Sequence, residues 1–582
     1  MKTNTKKFDA LLDAHLEKLV PHKRICKWKG EHRHCEGEFE ITEEDIKFLK
    51  MLRAPAPNYC PTCRRIRRFV YMGLSQLFKI KCDALNHGEL MISILSEDCP
   101  FPVYDYKYFI SDDFDPFIFG RTYKDGNDPM EILWEMRKEF PMPSFLNRDP
   151  SSVNSEYSNG GRNTRNGYYI FGCYNSEDIW YSVMAGKSKD VMDSRYATKC
   201  EHCYSIFHSE NIYKSSFIYF SKDCTDSMFL FDCRNCDSCF GCVNLRNKRY
   251  CVWNKQLSKS EYETFMKSVF PLRRESVEIY IKKLWELVGQ FPTNASRNTS
   301  VKNVVGVMLS NIQNSYDITE SKDSEHIRHA DGGLGAEDSM DFTYSGSTNL
   351  VYGTINVGSQ SNNIKFSISS KYCTNCEFVF NSKNLDNCFM CFGLQNKSYC
   401  VLNKQYSKEK YWPLVDKIKC EMWKRGEYGD GFPMKFSAQA YNMSIASVSF
   451  PLSDVEIVKL GGYLAKEPES NAGEEVKTLS GDKIPQTIDE ASDDVVNCAI
   501  ICEKTGRPFR IIASELEFYR KMKLPIPSVH PVIRMNEKAG IVRIGRKHLA
   551  TCANCKKSIY SVYNPKDNYT LYCTECFQKE VY

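Results

Sequence analysis

Residues 239–256, CFGCVNLRNKRYCVWNKQ, form the stretch that decides the fold class of this chain. They match residues 388–405, CFMCFGLQNKSYCVLNKQ, at an offset of 149. Each copy closes a block in which short apolar or aromatic stretches alternate with small polar triplets, such as SED at 176–178 and SKD at 188–190. Self-similarity at a fixed period is typical of solenoids. The sequence therefore predicts a mainly β protein with two repeat blocks at its centre.

The polar triplets give the length of one repeat unit. In the first block they recur at about 12 residues or a multiple of it, and SKD appears again at 221–223 and 321–323. One short strand and one turn fill this length, because strands commonly run about 5–6 residues. We expect two or three such units to make one coil of a right-handed β-solenoid or β-helix. The competing interpretation is an antiparallel sandwich, but hairpin dipeptides such as Asn-Gly are scarce.

A helix is expected to follow each block and to close the end of its stack. Ser258 and Glu261 have the spacing of a capping box ahead of Phe265 and Val269. In the second copy, Ser407 precedes a similar run. Such a helix would cover the sheet edge that a bare last coil exposes.

Four cysteines at a spacing of three lie in the first block: Cys233, Cys236, Cys239 and Cys242. This spacing resembles that of iron–sulfur ligands, but the bacterial ferredoxin run ends in C-x3-C-P and this one does not. The second block keeps only Cys388 and Cys391. Because cysteine is small and often buried, the favoured interpretation is a buried ladder of thiols. A further zinc site and a cluster are the alternatives.

The C-terminal stretch 552–576, CANCKKSIYSVYNPKDNYTLYCTEC, predicts a zinc ribbon. Zinc prefers four tetrahedral nitrogen or sulfur ligands, and two C-x-x-C knuckles at this spacing supply four thiolates. Residues 558–563 and 569–572 are expected to pair as a hairpin between the knuckles. A redox C-x-x-C is the alternative, and it would need a βαβ context that the sequence lacks. The predicted ligands are Cys552, Cys555, Cys573 and Cys576.

A second zinc site is predicted near the start of the chain, where CPTC at 60–63 forms a knuckle. Its partners are expected to be Cys26 and Cys35, with His32 and His34 between them. The alternatives are a set of three cysteines and one histidine, or a cluster of buried free cysteines. The predicted four-cysteine set is Cys26, Cys35, Cys60 and Cys63.

Four arginines follow this knuckle directly: Arg64, Arg65, Arg67 and Arg68. A basic run beside a zinc knuckle is a common footprint of nucleic-acid binding, so these side chains are candidate phosphate contacts. The alternative is a solvated face or a set of intramolecular ion pairs.

The two ends of the chain carry copies of one module. Residues 35–48, CEGEFEITEEDIKF, resemble residues 505–518, TGRPFRIIASELEF, at an offset of 470. At that offset the two cysteines of the CPTC knuckle fall on His530 and Ile533, so the C-terminal copy lacks a full ligand set. The ligands that remain there as a candidate site are Cys498, Cys502 and His530.

A degenerate copy of the terminal ribbon is expected at residues 82–108. In it, Asp105 and Tyr108 stand where Cys573 and Cys576 stand in the terminal ribbon. A thiolate shell cannot close without that pair, so we expect no metal in this copy.

Bulk properties indicate a non-membrane protein of a reducing compartment. The chain has 582 residues and a net charge of +5, with 78 Lys and Arg against 73 Asp and Glu, which does not indicate a general polyanion binder. No apolar run approaches the roughly 20 residues that span a bilayer. The N-terminus has the look of a short amphipathic helix without a signal-peptide pattern. The 27 cysteines sit mostly in C-x-x-C pairs, which favours a cytoplasmic location, with a virion as a further setting.

The order of these motifs resembles a family of uncharacterised zinc-ribbon, Cys-rich-repeat proteins of uncultivated bacteria, large DNA viruses and algae. The resemblance rests on GEFEITEEDIKFLKMLRAPAPNYCPTCRRIRR, FPVYDYKYFISDDFDPFIFGR, the central repeats, FRIIASELEFYRKMKLPIP and the terminal ribbon, and it covers nearly the whole chain. It implies zinc as a cofactor, and it implies no particular activity because none is established for the family. This chain departs from the family at residues 82–108, where relatives often keep C-x-x-C pairs.

Three classes of function are open from the sequence. No phosphate loop, nucleophile elbow, HExxH or dinucleotide fingerprint is present, which favours a non-enzymatic protein. A β-helix enzyme acting on carbohydrate would use the triplet acids Asp178, Asp190 and Asp223, which are more often turn formers. The favoured interpretation is a zinc-binding scaffold for nucleic acid or a nucleoprotein complex. The alternative is a structural component of a large particle; the oligomeric state is open.

The expected domains follow from these motifs. They comprise a helix with the first zinc module, a degenerate ribbon with a connector, two repeat blocks that are each followed by helices, an acidic linker, and a C-terminal module with the zinc ribbon. Their boundaries are 1–80, 81–165, 166–256, 257–300, 301–406, 407–465, 466–494 and 495–582.

Overall fold

The computed structural model describes residues 4–145, 150–356, 358, 360–467 and 476–582. Within these ranges the chain is rich in strands. A ten-stranded sheet occupies the first repeat block and a nine-stranded sheet the second, and neighbouring strands are parallel apart from the last pair of each block. The prediction of a strand-rich centre is confirmed. None of the described helices is both long and apolar enough to cross a membrane.

The N-terminal module, residues 4–145, combines five helices with three small sheets. Its helices are α1 (Lys6–Lys18), α2 (Glu43–Leu52), α3 (Pro61–Phe69), α4 (Tyr106–Phe109) and α5 (Pro129–Glu139). Its strands are β1 (His22–Ile25), β2 (Glu38–Ile41), β3 (Phe78–Lys81), β4 (Leu90–Ser93), β5 (Val103–Tyr104) and β6 (Met142–Pro143). Helix α2 begins at a capping box: Thr42 accepts from the Asp45 N–H, and the Asp45 carboxylate accepts from the Thr42 N–H.

The first block, residues 150–256, is built of parallel strands. They are β7 (Ser158–Asn159), β8 (Arg162–Tyr168), β9 (Ile170–Phe171), β10 (Tyr174–Trp180), β11 (Lys189–Met192), β12 (Arg195–Thr198), β13 (Glu201–Tyr219), β14 (Lys222–Thr225), β15 (Met228–Phe231), β16 (Phe240–Val243), β17 (Cys251–Val252) and β18 (Lys255–Gln256). Only the last pair, β17 and β18, is antiparallel. Two helices follow, α6 (Lys259–Val269) and α7 (Arg274–Gln290), and the predicted capping box of Ser258 and Glu261 is confirmed at the start of α6.

The second block, residues 299–405, repeats this plan after a short strand, β19 (Pro292–Asn294). Its strands are β20 (Thr299–Val307), β21 (Ser310–Thr319), β22 (Lys322–Arg328), β23 (Leu334–Thr343), β24 (Gly346–Ile355), β25 (Asn362–Lys365), β26 (Thr374–Glu377), β27 (Lys383–Asp386), β28 (Gln395–Ser398), β29 (Cys400–Val401) and β30 (Lys404–Gln405). Three connecting helices come next, α8 (Lys408–Lys424), α9 (Ile445–Ser449) and α10 (Asp454–Lys459).

Neighbouring strands in the blocks are separated by one repeat unit. Glu177 pairs with Lys189, and Lys189 pairs with Glu201. The backbone N–H of Ser188 donates to the hydroxyl of Ser176, a residue 12 positions earlier. The expectation that two or three units make one coil is therefore wrong, because a single unit already brings the chain back beside itself.

The backbone turns at every third residue of the blocks. Asn211, Lys214, Phe217, Phe220 and Asp223 all have left-handed backbone angles, with φ between 45° and 60°. Such a conformation costs about 1–2 kcal/mol for a residue with a Cβ atom. The parallel hydrogen bonds between neighbouring strands must offset this cost. The three-residue spacing explains why small polar residues recur in the sequence at multiples of three.

The residue after each of these turns points into the block. In the same stretch the inward side chains are all buried and are mostly small: Ile212, Ser215, Ile218, Ser221 and Cys224. Inward hydroxyls are satisfied within the ladder, since Ser188 donates to the Gly186 carbonyl and accepts from the Cys200 N–H. The blocks therefore have filled interiors, with a separate core in each.

The C-terminal module, residues 476–582, resembles the N-terminal one. Its helices are α11 (Ala513–Met522), α12 (Pro531–Ile541) and α13 (Thr574–Val581). Its strands are β31 (Thr478–Leu479), β32 (Ala499–Ile501), β33 (Pro508–Phe509), β34 (His548–Thr551), β35 (Ser558–Ser561) and β36 (Thr570–Tyr572). Helices α11 and α12 begin at offsets of 470 from α2 and α3, the offset found in the sequence.

The predicted acidic linker spans residues 466–494, and the structure describes all of its second half. Residues 468–475 lie outside the described ranges. From residue 476 onward the segment packs against the C-terminal module, and Ile484, Ile488 and Ala491 are buried. The expectation of a mobile linker up to residue 494 is therefore wrong for its second half, because these apolar side chains bury against α11.

Each terminal module docks on the repeat block of the opposite half. In the N-terminal module, the Arg64 guanidinium of α3 pairs with Asp341 of the second block at 2.5 Å. In the C-terminal module, Arg534 of α12 donates to both carboxylate oxygens of Asp193 in the first block, at 2.7 and 3.2 Å. Both arginines are buried. The two ion pairs occupy equivalent places, since Arg534 is 470 residues after Arg64 and Asp341 is 148 after Asp193.

The remaining contacts of these arginines are also duplicated. Arg64 donates to the Tyr59 carbonyl at 2.8 Å, and Arg534 donates to the Val529 carbonyl at 2.6 Å. The carboxylate at the start of the preceding helix differs: Asp45 pairs with Arg328, whereas Glu515 accepts from the Tyr181 hydroxyl. Burial raises the pKa of Glu515 to about 7.

We expect the docking of the C-terminal module to depend on the Arg534–Asp193 pair. Arg534→Leu leaves a buried carboxylate without its cation, which costs about 3–5 kcal/mol in the free energy of unfolding. Arg534→Leu combined with Asp193→Leu restores most of this stability. Denaturant titration of the metal-loaded proteins measures both values. The exposed Arg543 of the same module is the matched control, and a similar loss in Arg543→Leu would contradict the ion-pair account.

We also expect the stability of this module to fall as pH rises. The pKa of Glu515 is higher in the folded chain than its ordinary value of 4.5, so ionisation is penalised only in the folded state. Between pH of about 4.5 and 7 the wild-type protein therefore loses stability relative to Glu515→Gln. Unfolding of both proteins across that range tests this, and a stability difference independent of pH would count against it.

Candidate metal centres

The first candidate centre lies at the start of the N-terminal module. Its four thiol sulfurs lie within 4.8 Å of one another. Cys26 follows β1, Cys35 precedes β2, and Cys60 caps the start of α3, so that the Pro61 ring occupies the first helical turn. The four residues are Cys26, Cys35, Cys60 and Cys63.

Backbone N–H groups support these sulfurs. The Cys60 N–H donates to the Cys26 sulfur at 3.3 Å, the Cys63 N–H to the Cys60 sulfur at 3.4 Å, and the Gly37 N–H to the Cys35 sulfur at 3.4 Å. Hydrogen bonds from the Cys60 and Cys63 thiols lower the pKa of Cys26. The thiolate, the form of cysteine that binds metal, is thus favoured at Cys26, whereas the shared hydrogen bonds raise the pKa of Cys60 and Cys63.

His32 stands beside this group and outside it. Its Nε2 atom lies 3.3 Å from the Cys63 sulfur. Burial lowers the pKa of His32, so the ring is neutral at neutral pH. Of the two predicted ligand sets, the structure brings the four cysteines together, and it leaves His32 as a neighbour that can hydrogen-bond to one of them. His34 instead hydrogen-bonds to the Pro451 carbonyl.

The second candidate centre is formed by the C-terminal ribbon. The sulfurs of its four cysteines also lie within 4.8 Å of one another. The Cys573 N–H donates to the Cys552 sulfur at 3.3 Å, and the Cys576 N–H donates to the Cys573 sulfur at 3.4 Å. Burial opposes the ionisation of Cys552, but the N–H groups of Cys573 and Cys555 lower its pKa to about 6. The four residues are Cys552, Cys555, Cys573 and Cys576.

The strands around this centre pair differently from the prediction. β35 pairs with β34, which precedes the first knuckle, and β36 pairs in parallel with β19 of the connector at residues 292–294. The predicted hairpin between β35 and β36 is therefore wrong. The first knuckle itself turns the chain between β34 and β35, which leaves the later strand free to add to β19.

The chemistry of both groups suits a metal ion. Four cysteine sulfurs at mutual contact match the tetrahedral donor set of a structural site, and they leave no open position for a substrate. All 27 cysteines of the chain are free thiols, so no disulfide competes for these eight. Within the described ranges, these two sets alone gather three or more Cys, His, Asp or Glu ligand atoms this closely.

The degenerate ribbon keeps the local geometry of a knuckle without the ligands. The Asp105 N–H donates to the Cys82 sulfur at 3.2 Å, as the Cys573 N–H does to Cys552. The Asp105 carboxylate accepts from the Lys107 N–H and so caps α4. The aspartate at the ligand position thus acts as the N-cap of α4.

The candidate set in the C-terminal copy is only partly assembled. The His530 N–H donates to the Cys502 sulfur at 3.3 Å, in the same geometry as Cys60 on Cys26. The Cys498 thiol instead donates to the Asp494 carbonyl. The module retains the fold of the knuckle after its ligands are lost.

The cysteines of the first block lie in its interior. Successive inward positions around the ladder are three residues apart, which places all four thiols inside. The Cys233 thiol hydrogen-bonds to the Phe231 and Cys242 carbonyls. Burial raises the pKa of Cys233 well above its ordinary value. These contacts are those of a buried ladder, and the four residues are Cys233, Cys236, Cys239 and Cys242.

The predicted nucleic-acid contacts of the arginine run are wrong, because all four side chains are buried. Arg65 donates to Asp331, and Arg68 pairs with Asp331 and Asp341. Arg67 lies 4.1 Å from the centre of the Tyr59 ring. No guanidinium of the run is open to a phosphate. The exposed fractions of Arg64, Arg65, Arg67 and Arg68 are 9%, 5%, 6% and 5%.

The partner aspartates were missed in the sequence because they lie more than 250 residues from the arginines. The sequence duplication could have indicated a structural role for these arginines, since the offset of 470 aligns Arg64 with Arg534. Arg534 is retained although its module lacks the metal ligands, so metal binding is not the reason for an arginine at this position. No protein-family model matches the chain, and no curated protein matches it either.

We expect two metal ions per chain in the purified protein. Cys60→Ser removes the ion of the first centre and Cys573→Ser that of the second, so each variant keeps one ion and the double variant keeps none. Elemental analysis after gel filtration measures the ratio. Cys239→Ser, inside the first block, is the matched control and keeps both ions. A third ion that disappears with Cys239 would overturn the assignment of a buried ladder.

Proposed function

We propose that this protein is a zinc-stabilised β-solenoid scaffold that holds partners in an assembly. The observation that carries the proposal is the crosswise docking of each terminal module on the repeat block of the opposite half, through Arg64–Asp341 and Arg534–Asp193. Two such contacts join the ends of the chain to its centre. A protein whose terminal modules are fixed on its repeat blocks can present binding surfaces to its partners in fixed relative positions.

The solenoid is inferred from the register of the blocks. Four series of parallel pairs run up the first block, and each advances by one repeat unit. Examples from the four series are Phe171↔Val183, Tyr174↔Gly186, Glu177↔Lys189 and Trp180↔Met192. Four sides of three residues, stacked in parallel, describe a four-sided coil with small residues inside. Right-handedness stays a prediction.

Zinc is the metal we propose for both centres. Four thiolates in a closed shell are the donor set of structural zinc sites. Each centre ties together segments of its module: the first joins residues on either side of α2, and the second joins the turn before β35 to the start of α13. Bound zinc would then contribute folding free energy to the modules, and through the docking contacts to the blocks.

The triplet acids are engaged as structural groups, which favours a scaffold over a carbohydrate-active enzyme. Asp178 accepts from Asn166, Asp223 accepts from Asn211, and Asp190 accepts from Lys521. Catalytic carboxylates would need to face a common cleft across a sugar ring. Here each carboxylate instead accepts a hydrogen bond from a neighbouring repeat or from the docked C-terminal module.

The partner is proposed to be a protein component of a large particle or assembly. Nucleic-acid binding was the first expectation from the sequence, but the arginines of the run at 64–68 that motivated it are buried. Membership in the zinc-ribbon, Cys-rich-repeat family is proposed on the order of motifs alone. A reducing compartment is proposed because the cysteines sit mostly in C-x-x-C pairs.

We expect the tagged protein to co-purify from native lysate with a protein partner at a fixed stoichiometry. Capture with and without nuclease, followed by mass spectrometry, measures this. Unchanged stoichiometry after nuclease supports the scaffold. Capture that is lost after nuclease and that weakens steeply with salt would instead identify a nucleic-acid binder and overturn the proposal. The Cys60→Ser, Cys573→Ser double variant is expected to lose the partner.

A further inference from the structure

A large cavity lies where the C-terminal module meets the first block and α7. Its volume is about 780 Å³. Aromatic and apolar groups form much of its wall, with prolines of the 524–527 turn on one side. Residues that define its position are Tyr204, Phe217, Pro525, Gly540, Ile541 and Lys538.

The opposite half has an equivalent groove between the N-terminal module and the second block. At the offset of 470, Arg64, Arg68 and Tyr71 correspond to Arg534, Lys538 and Ile541. On the block side, Tyr352 corresponds to Tyr204 at an offset of 148. The free volume there is only about 30 Å³. The two equivalent grooves thus differ greatly in their free volume.

The N-terminal copy is filled by the chain itself. A segment at residues 428–433, which follows α8, lies along it in an irregular conformation. Arg67 donates to the carbonyls of Gly431 and Phe432, both at 3.2 Å, and Tyr352 donates to the Gly429 carbonyl at 3.5 Å. The groove therefore binds the backbone of an unpaired peptide segment.

Side chains of the same segment anchor it. The Tyr428 ring lies 5.8 Å from the Phe366 ring, edge to face. Asp430 accepts from the side-chain amide and the N–H of Asn58, at 3.0 and 3.3 Å. A tyrosine and a carboxylate two residues apart thus fix the position of the segment.

No described segment takes this place in the C-terminal copy. Phe217, the counterpart of Phe366, lines the open cavity. The neighbouring ring of Phe231 is covered by Trp285 of α7, at 5.7 Å between ring centres, so that α7 covers part of the block and leaves the rest open. The aromatic rings are retained, and among the described residues a cavity lined by α7 stands where the other half holds the segment at 428–433.

The cavity wall carries charges of both signs, and two of its lysines, Lys282 and Lys538, form no hydrogen bond or ion pair among the described residues. Lys504 pairs with Glu537 at 2.5 Å, and Arg534 is bound to Asp193. Among the described residues, Lys538 forms no hydrogen bond or ion pair, whereas its counterpart Arg68 pairs with two aspartates. Burial lowers the pKa of Lys538, and the nearby carboxylates of Asp193 and Glu537 oppose this shift.

We propose that this cavity is a docking groove for an extended peptide segment of a partner protein that carries an aromatic side chain and a nearby carboxylate. The aromatic ring packs on Phe217 as Tyr428 packs on Phe366. The carboxylate pairs with Lys538, which has no ion-pair partner among the described residues. The proposal deepens the proposed scaffold function and rests on it, since it names where one partner binds.

The test uses a labelled synthetic peptide with the sequence of residues 427–436, EYGDGFPMKF, and the full metal-loaded protein. Fluorescence anisotropy is expected to show saturable binding of one peptide per chain. Lys538→Gln weakens this binding about tenfold, because one charge-assisted hydrogen bond is lost. A peptide with alanine at the tyrosine position or asparagine at the aspartate position binds more weakly than the parent.

A cavity-filling variant provides the decisive comparison. Gly540 lies in α12 on the cavity wall with no atom within 4 Å of an added Cβ, so Gly540→Trp places an indole in the groove. This variant is expected to abolish binding while keeping its metal content and unfolding midpoint. Gly88→Trp is the matched control, since Gly88 is exposed and also has open space around it. Gly88→Trp is expected to bind the peptide normally.

Absence of saturable binding, or binding that Gly540→Trp leaves unchanged, would overturn the groove proposal. The same variant separates this outcome from that of the scaffold. If Gly540→Trp still captures the protein partner from lysate at the wild-type stoichiometry, the scaffold stands and the groove assignment falls. If Gly540→Trp loses that partner and Gly88→Trp keeps it, the groove is the site of attachment.

Discussion

Every third side chain of the two parallel blocks lies inside, and the space that it enters is filled mainly by small and aliphatic groups. This constraint explains why serine, cysteine, alanine and aliphatic residues recur at inward positions such as Ser221, Cys224 and Ile218. It also explains the high cysteine content without invoking metal in the blocks. A filled interior has no room for a substrate, so the chemistry of the protein must lie on its outer surfaces and in the modules that dock there.

The outer turns supply the acids that make docking specific. Asp193 and Asp341 each stand beside a left-handed turn of a block, where aspartate is well tolerated. Because each faces a buried arginine of a terminal module, removal of either partner leaves a charge in a low-dielectric setting. The cysteine centres hold the modules in shape, and the ion pairs hold the modules on the blocks. If both centres bind metal as proposed, metal binding and the packing of the blocks are linked through few residues.

The sequence predicted the local features and missed the long-range ones. The two four-cysteine sets follow from C-x-x-C spacing, and the register step follows from the spacing of triplets such as 176–178 and 188–190. How many units make a coil could not be predicted, because one strand-plus-turn unit looks the same in a short coil and in a long one. The burial of Arg65 and Arg68 was missed because their partners, Asp331 and Asp341, lie in the other half of the chain.

The duplicated halves have diverged most where they meet their own covering segment. Arg67, which binds the backbone of the segment at 428–433, corresponds to Glu537, and Tyr71, which donates to the Pro433 carbonyl, corresponds to Ile541. The ion pair beneath is unchanged, so the loss of these contacts reflects the missing segment and not a loss of docking. Tyr204 and Phe217 are retained on the wall of the larger cavity, and both rings are buried in the fold. The volume that the segment at 428–433 fills in one half is open in the other, which is why the asymmetry between halves points to binding.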